Sequence, residues 1–230
     1  MQSINDLVIK HDPDVILFQE VTLHMYNIFQ RSGWWREYPY GFISHPSGQN
    51  ARQFYCMLRS KLSLSNQMIP RRDDSSSSVL IDGLVAQACH PMLGATRSYA
   101  GFPRHGINLF TCCLPGPTRT NIRGAERRLE AVRMVNLGGR SDVDVILGGD
   151  MNWDEDLDVP FPFTPENGWV GAWTTLRTPA EPGWTVDTKA NPMLQLLHGS
   201  KPVQKRPDRF LCKLNNFTLD SIEMIWSRLL

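Results

Sequence analysis

The stretch VILGGDMNWDED, residues 145–156, decides how the rest of this sequence is interpreted. An apolar run ends in two glycines and is followed by Asp150, Asn152 and three consecutive acids. A buried strand that ends in this way delivers polar side chains to one end of a sheet. Three interpretations compete for the polar part: a solvated acidic turn, a calcium loop and the end of a catalytic strand.

The calcium interpretation meets the weakest support. Acids and Asn alternate from position 150 to 156, as in the first half of an EF-hand loop. The sixth position, however, is Glu155 where that loop needs glycine, and the twelfth is Phe161 where it needs glutamate. The residues before the loop also predict a strand and not a helix. An acidic turn stays open, because Asp and Asn side chains bond readily to nearby backbone.

A second stretch of the same design favours the catalytic interpretation. PDVILFQE, residues 13–20, is an apolar run that ends in Gln19 and Glu20. If the two strands are neighbours, Glu20 and Asp150 meet at one end of a sheet. One carboxylate there suits Mg²⁺, a second orients or deprotonates the attacking water, and the Asn152 amide donates to a phosphate oxygen. Glycines before Asp150 would let a ligand approach the backbone closely.

Composition limits the classes of function. The chain has 230 residues, of which 41% are hydrophobic, so it can bury a sizeable core. A formal net charge of +1 gives no general attraction to nucleic acid or membrane. Five cysteines without a Cys-x-x-Cys motif favour a reduced intracellular protein over a disulfide framework or a zinc ribbon. The N-terminal residues do not predict a signal peptide, and no run of about 18 apolar residues predicts a membrane span.

Periodicity predicts a mixed order of strands and helices. Helical spacing indicates helices at 3–11, with Ser3 as N-cap, and at 123–139, with Leu129 and Val132 on the apolar face. Apolar runs indicate strands at 15–18, 54–59, 61–69, 106–114, 142–149, 208–214 and 217–226, with a loop at 73–78. The pattern predicts one mixed α+β or layered-sheet domain without repeats or linkers.

In this order, the motifs resemble the endonuclease/exonuclease/phosphatase superfamily, and in detail its tyrosyl-DNA phosphodiesterases, particularly the plant forms. The resemblance extends over about residues 12–225 and is carried by PDVILFQEVT (13–22), GGDMNWDEDLD (148–158), GWTVDTKANPML (183–194) and KRPDRFLCKLNNFTLDSIEMI (205–225). It implies an α+β fold, a two-layer β-sandwich flanked by helices, that works as a Mg²⁺-dependent phosphodiesterase, with Mn²⁺ as a second usable ion.

The resemblance also implies roles for individual residues, partners and a compartment. The implied roles are metal ligation by Glu20, water activation by Asp150, phosphate binding by Asn152, orientation of a catalytic His by Asp208, and DNA-end contact by Trp184 and Asp187. The implied partner is a DNA end that carries a 5′-phosphotyrosyl topoisomerase adduct, and no membrane. The implied setting is DNA repair in the nucleus, with the cytoplasm as a second compartment; the oligomeric state stays open.

The sequence departs from the resembled family at three motifs. The family's first strand ends in an Asn that has no counterpart here, and its final Ser-Asp-His is absent. Where the family has Ser-His-Leu-Glu, this chain has CCLPGPTRTNIRG, residues 112–124, which contains no His. We therefore expect a single incomplete domain over residues 1–230, without the first and last strands, and with weak activity.

Two alternatives remain at this stage. One is another enzyme of the superfamily, such as an abasic-site nuclease, a deadenylase or a lipid phosphodiesterase. The other is a catalytically inactive product of splicing or of an incomplete gene model, which acts as an interaction protein.

Overall fold

The computed structural model describes residues 2–43, 54–63, 65–66, 95–99, 102–114, 116, 122–137, 144–191, 193–194, 196 and 202–225. The predicted loop at 73–78 lies outside these residues. The helices are α1 (Gln2–His11), α2 (Leu23–Arg31), α3 (Ile122–Leu137) and α4 (Ala172–Leu176), with 3-10 helices at Gly33–Glu37 and Pro165–Asn167. The strands are β1 (Val15–Thr22), β2 (Tyr40–Ile43), β3 (Phe54–Ser60), β4 (Ser65–Asn66), β5 (Ala95–Tyr99), β6 (Phe102–Cys113), β7 (Asp144–Asp150), β8 (Val170–Gly171), β9 (Val186–Asp187), β10 (Gln204–Lys205) and β11 (Asp208–Lys213).

Two sheets form the layers of the protein. The small sheet has the antiparallel order β1-β3-β2, and the large sheet has the order β4-β5-β6-β7-β11-β8. The layers touch where β1 and β3 contact β6 and where β1 contacts β7. Strands β9 and β10 form a separate antiparallel pair. The predicted α+β fold with two sheets and flanking helices is confirmed. Across the part of the chain described, β1 borders only β3, as expected for an edge strand.

Helix α3 connects β6 to the parallel strand β7 and covers the outer face of the large sheet. Its buried side carries Arg127, Ala131 and Met134. The predicted apolar face is wrong, because Leu129 is 52% exposed and Val132 is 44% exposed. The buried Asp158 carboxylate forms an ion pair with Arg127. This ion pair is satisfied only with the Arg127 side of α3 facing the protein interior, which apolar spacing alone does not predict.

Aromatic side chains occupy two cores. One core lies under α3 and includes Phe110, Leu147, Trp153 and Trp169. The other lies where α1, α2 and the first 3-10 helix cover the small sheet, and it consists of Val8, Val21, Phe29, Trp34, Tyr38 and Met57. Trp34, Trp153 and Trp169 are therefore core residues. None of the described helices is long and apolar enough to cross a membrane.

Gly148 allows the two layers to approach each other. A Cβ at this position would lie 2.6 Å from Leu17 Cδ1 and 2.6 Å from the Phe210 ring. Side chains of β1 and β11 lie against Gly148, and both Gly148 and Gly149 line a cavity of about 520 Å³ beside them. The close approach of a ligand to these glycines stays a prediction.

Two local predictions are also wrong. Helix α1 already includes Ser3, so Ser3 is not its N-cap. The predicted strand at 217–226 does not form within the described residues, which end at 225. Side chains satisfy part of this segment's backbone instead: the Phe217 N–H donates to the Asp144 carboxylate, and Ile222 O accepts from Arg177 Nε at 3.1 Å.

Candidate active site

At one edge of the large sheet, the terminal residues of three neighbouring strands form a row. Asp150 of β7 stands opposite Asp208 of antiparallel β11 and beside Cys113 of parallel β6. Residues directly opposite each other in neighbouring strands share a face of the sheet. This face is turned toward the small sheet, because Thr111, two residues before Cys113, hydrogen-bonds to Gln19 of β1. Two carboxylates therefore lie side by side between the layers.

Strand β1 brings a third carboxylate to this place. The β1–β3 register shifts between Phe18 and Val21, so Gln19 and Glu20 form a bulge. Glu20 has a φ of 54°, in the left-handed region that a residue with a Cβ rarely occupies. Bulges redirect side chains and are common beside active sites. Glu20 and Asp150 do converge as predicted, but from strands in opposite layers and not from neighbours in one sheet.

One hydrogen bond ties the bulge to the large sheet. Gln19 Nε2 donates to Thr111 Oγ1 at 2.8 Å, and the Thr111 side chain is fully buried. Gln19 is thus the part of the Gln-Glu motif that anchors Glu20 across the sandwich. Local sequence patterns do not predict this contact, because Thr111 lies 92 residues along the chain from Gln19.

The other two carboxylates act on the pKa of Asp150. Burial, followed by the charges of Asp208 and Glu20, raises the pKa of Asp150 to about 7, against opposing hydrogen bonds from Asn152. Within the described ranges, no Lys or Arg forms an ion pair with Glu20, Asp150 or Asp208. Carboxylates gathered without a cation of their own are the chemistry that a divalent cation satisfies.

Asn152 is placed to hold Asp150. Its backbone N–H donates to Asp150 Oδ1 at 2.8 Å, and its amide nitrogen donates to Asp150 Oδ2 at 3.0 Å and to Leu114 O at 2.8 Å. Both amide hydrogens are therefore engaged inside the protein. The residue adopts a φ of 47° to make these bonds. A phosphate contact by Asn152, as predicted, requires it to release one of these partners.

Asp208 lies at the mouth of a cavity of about 520 Å³ that is also lined by Leu17, Gln19 and Phe210. Its side chain is exposed, yet protein surrounds it closely enough that burial raises its pKa, against a hydrogen bond from Thr185. In the part of the chain that the structure describes, no histidine hydrogen-bonds to Asp208. Asp208 N donates to Thr185 Oγ1 at 3.2 Å. Orientation of a catalytic His by Asp208 stays a prediction.

Trp184 and Asp187 lie apart from the carboxylate row. Asp187 caps the turn after β9, where it accepts from Lys189 N at 2.9 Å and Ala190 N at 3.1 Å. A hydrogen bond from Gln204 holds the pKa of Asp187 below its usual value. Trp184 lines a second cavity, also of about 520 Å³, together with Trp173, Arg177 and Arg206. The structure thus unites Glu20, Asp150, Asn152 and Asp208 but leaves Asp187 in a hairpin turn.

The acids after Asn152 build the turn itself. Asp154 Oδ1 accepts from Asp156 N at 3.1 Å and from Leu157 N at 3.3 Å. Asp158 is fully buried against Arg127. Positions 154–158 therefore form an acid-stabilised turn, but Asp154 and Asp158 are buried and the turn is not the solvated one expected. Positions 150 and 152 stand at the carboxylate row, where a catalytic role stays a prediction.

A metal would depend on few protein ligands. Among the residues that the structure describes, no three His, Cys, Asp or Glu side chains come together tightly enough to hold an ion by themselves. Mg²⁺ suits such a site, because it uses one or two carboxylates and keeps several waters. The nearby thiols do not compete for this role, since burial raises the pKa of Cys56 to about 12 and raises the pKa of Cys113 still further.

Comparisons with known proteins agree with this architecture. The model of the Endonuclease/Exonuclease/phosphatase family matches residues 1–229. D. rerio TDP2 complexed with single strand DNA product has a TM-score of 0.65 and 17% identity, with 94% of this chain and 76% of that chain covered. TDP2 from C. elegans has a TM-score of 0.62 and 18% identity, with 92% and 58% covered. An AP endonuclease from Archaeoglobus fulgidus has a TM-score of 0.56 and 14% identity, with 92% and 80% covered. No curated protein matches the sequence. At these identities the likenesses concern the fold.

Proposed function

Because the chain belongs to the endonuclease/exonuclease/phosphatase family, a family of hydrolases, we propose that it is a Mg²⁺-dependent phosphodiesterase that releases tyrosyl adducts from DNA 5′-phosphates. Its fold likeness to D. rerio TDP2, whose structure contains a single strand DNA product, supports DNA as the substrate class. The phosphotyrosyl bond and the choice of Mg²⁺ rest on the motif resemblance at 13–22, 148–158, 183–194 and 205–225.

The single observation that carries the proposal is the environment of Asp150. This carboxylate is mostly buried, lies opposite Asp208, is influenced by Glu20 and has a pKa of about 7. A group whose pKa lies near neutrality exchanges protons efficiently with an attacking water. Perturbed carboxylates in a cleft are typical of functional sites.

The residues divide the work as follows. Glu20 is the group that would hold the ion, which when bound would polarise a phosphate oxygen and make a bound water more acidic. Asp150 accepts a proton from the water, while Asn152 keeps the Asp150 carboxylate in place. Asn152 also donates to a phosphate oxygen once it releases Leu114 O. Thr185 holds Asp208, and Arg206 lies at the rim of both cavities.

We further propose a DNA-repair role in the nucleus, with the cytoplasm as a second compartment, for one domain that extends through residues 1–230. Trp184 then contributes a stacking surface for an unpaired base, in the second cavity beside Arg206. Asp187 supports the hairpin that carries Trp184 and does not touch the substrate.

The test is a substrate panel with the purified chain and Mg²⁺ or Mn²⁺. The panel contains a single-stranded oligonucleotide with a 5′-phosphotyrosyl end, an abasic duplex, a polyadenylated RNA and a lipid phosphodiester. We expect metal-dependent turnover of the first substrate and loss of turnover in Asp150→Asn. Asp187→Asn is the matched control, since it removes a carboxylate outside the site. Preferred cleavage of another substrate would transfer the proposal to that chemistry, and no turnover in the presence of a stable fold would overturn it.

The rate is expected to be low beside D. rerio TDP2 assayed on the same oligonucleotide. Residues 112–124 contain no His to donate to the phosphate, and loss of one such preorganised donor costs about 10²–10³ in rate. Equal rates for the two enzymes would show that the retained groups suffice.

A further inference from the structure

Four charged residues form a connected chain of ion pairs and hydrogen bonds next to the carboxylate site. It begins at Arg127 on α3, passes through Asp158 and Asp154 in the loop after β7, and ends at Lys205 on β10. Lys205 lies three residues before Asp208, and the loop begins at Asp150. The chain therefore connects the segments that carry the two opposed carboxylates of the site.

The inner end of the chain is fully buried. Arg127 and Asp158 side chains are 2% and 0% exposed, and Asp158 Oδ2 accepts from Arg127 Nε at 2.6 Å. The same oxygen accepts from Asp154 N at 3.0 Å. A buried ion pair of this kind contributes little net stability, because desolvation offsets the attraction, and its better attested use is to fix one arrangement of the chain.

The outer end connects the loop to β10, which lies just before the strand β11 that carries Asp208. Lys205 Nζ forms an ion pair with Asp154 Oδ2, and Lys205 is 42% exposed. Met151 N also donates to Pro207 O at 2.9 Å, so the backbone of the loop after β7 is bonded to the residue just before β11. Burial opposes ionisation of Asp154, but hydrogen bonds from Lys205 and from loop amides hold its pKa below the usual value.

The loop between these ends needs outside support. It contains Asn152 with a φ of 47°, an arrangement that persists only when the surroundings enforce it. Asn152 in turn supplies two of the hydrogen bonds that place Asp150. If the backbone at Asn152 changed conformation, the Asp150 carboxylate would lose these hydrogen bonds and its fixed place opposite Asp208.

We propose that the Arg127–Asp158–Asp154–Lys205 chain is a positioning device that fixes loop 151–158 and thereby the spacing of the Asp150 and Asp208 carboxylates. The consequence for turnover rests on the proposed phosphodiesterase function. Arg127 and Lys205 are positioning residues in this scheme, since they act through the loop and not on the substrate.

The experiment uses the intact chain and two kinds of readout. Hydrogen–deuterium exchange reports on the amides of residues 151–158, and kcat and KM are measured on the 5′-phosphotyrosyl oligonucleotide. For Lys205→Met we expect exchange in this loop to rise about tenfold, kcat to fall about tenfold and KM to stay within about twofold. Lys205→Arg restores both quantities. The matched control is Arg133→Met. It breaks the Arg133–Glu130 ion pair on α3, the helix that carries Arg127, and leaves the loop contacts in place.

Arg127→Met alone leaves the buried Asp158 carboxylate with the more distant Arg128, at 3.4 Å, as its ion-pair partner and risks unfolding. The double variant Arg127→Met, Asp158→Met therefore accompanies it, because an apolar pair of similar size restores the free energy of unfolding but not the bond to Asp154 N. A purely structural role predicts that activity and loop protection recover with stability, and this result would overturn the proposal. Unchanged exchange in Lys205→Met, or increased exchange with unchanged kcat, would also overturn it. An inactive wild-type chain would count against the proposed function, while the exchange data would still decide whether the four side chains hold the loop.

Discussion

The ends of β1 and β7 carry the two halves of the candidate site, and they are held in different ways. At the end of β7, Asp150 is mostly buried and is fixed by Asn152, by pairing with β6 and by pairing with β11. At the end of β1, Glu20 is exposed on an edge-strand bulge, and the neighbouring Gln19 supplies the bond to the large sheet through Thr111. One carboxylate is held from three sides, and the other stands on a bulge that the Gln19–Thr111 hydrogen bond connects to the large sheet.

The difference shows what each strand end is suited to do. A carboxylate in a confined, partly dry place acquires a shifted pKa and keeps its geometry, which suits proton transfer. A carboxylate on an exposed bulge keeps water around it and adjusts its position, which suits a weakly bound and hydrated ion. Under the proposed function, acid–base work by Asp150 and ion binding by Glu20 would therefore belong to different layers of the sandwich.

The largest expected effect is on turnover. Asp150→Asn keeps the size of the side chain but removes the proton acceptor, so we expect kcat to fall by at least about 10³. Glu20→Gln is expected to reduce turnover mainly at low Mg²⁺ and to recover in part at high Mg²⁺, because it weakens binding of the ion. Kinetics over a range of Mg²⁺ concentrations separate the two. Equal rescue of both variants by metal would erase the contrast between the strand ends.

The next effect is on stability against pH. The native pKa of Asp150 is about 7 and its ordinary value is 3.8, so between these values the native state holds a proton that the unfolded state releases. Stability from this group is therefore present below about pH 4 and lost as pH rises toward 7, at about 1.4 kcal/mol per unit, for a total of a few kcal/mol.

Urea unfolding at pH 4.5, 6.0 and 7.5 without metal measures this dependence. Asp150→Asn should flatten the profile and be more stable than the wild type at pH 7.5. A wild-type profile that rises over this interval would contradict the described environment of Asp150. The slope should be unaffected by Asp187→Asn, whose carboxylate does not belong to the row.

A smaller effect concerns the hydrogen bond between Gln19 of β1 and Thr111 of β6. Thr111→Val preserves the shape of the buried side chain but deprives Gln19 of its partner, at a cost of about 1–2 kcal/mol. We expect Mn²⁺ affinity, measured by calorimetry, to weaken about fivefold because Glu20 loses its support. Thr111→Ser should recover most of the affinity. A Thr111→Val variant with native affinity would show that the bulge holds itself.

The smallest effect concerns the bulge backbone. Glu20 at a φ of 54° carries a cost of about 1 kcal/mol that glycine avoids. Glu20→Gly should therefore be about 1 kcal/mol more stable than Glu20→Ala, while both lose the ligand. Thermal or urea unfolding of the pair decides the matter, and equal stability of the two variants would show that the backbone is unstrained there.

Much of the site followed from local patterns in the sequence, and its assembly did not. Apolar runs that end in Gln19-Glu20 and in Asp150 and Asn152 revealed the strand ends, because that pattern is local. Placement of these ends in opposite layers depends on contacts between distant segments, which no periodicity encodes. The face of α3 was misjudged because its buried side includes Arg127, a residue whose burial depends on Asp158 far along the chain.

The segment at 217–225 illustrates a second limit. Its alternating pattern is typical of a strand, and its side chains do alternate between partly buried and exposed over much of its length. A strand also needs a neighbour with free backbone groups, and here the Asp144 and Arg177 side chains bond to the segment instead. The alternation was therefore informative about burial but not about pairing.

The order of strands in the large sheet has a consequence for biosynthesis. Strands β6 and β7 are joined through α3 and can associate soon after they leave the ribosome, whereas β11 is synthesised much later and inserts between β7 and β8. Pairings between distant segments form late, after the cost of closing long loops has been met. Asp150 is therefore an ordinary acidic residue in the nascent chain. Asp208 comes to stand opposite Asp150 only when β11 completes the sheet, so the carboxylate row is assembled last.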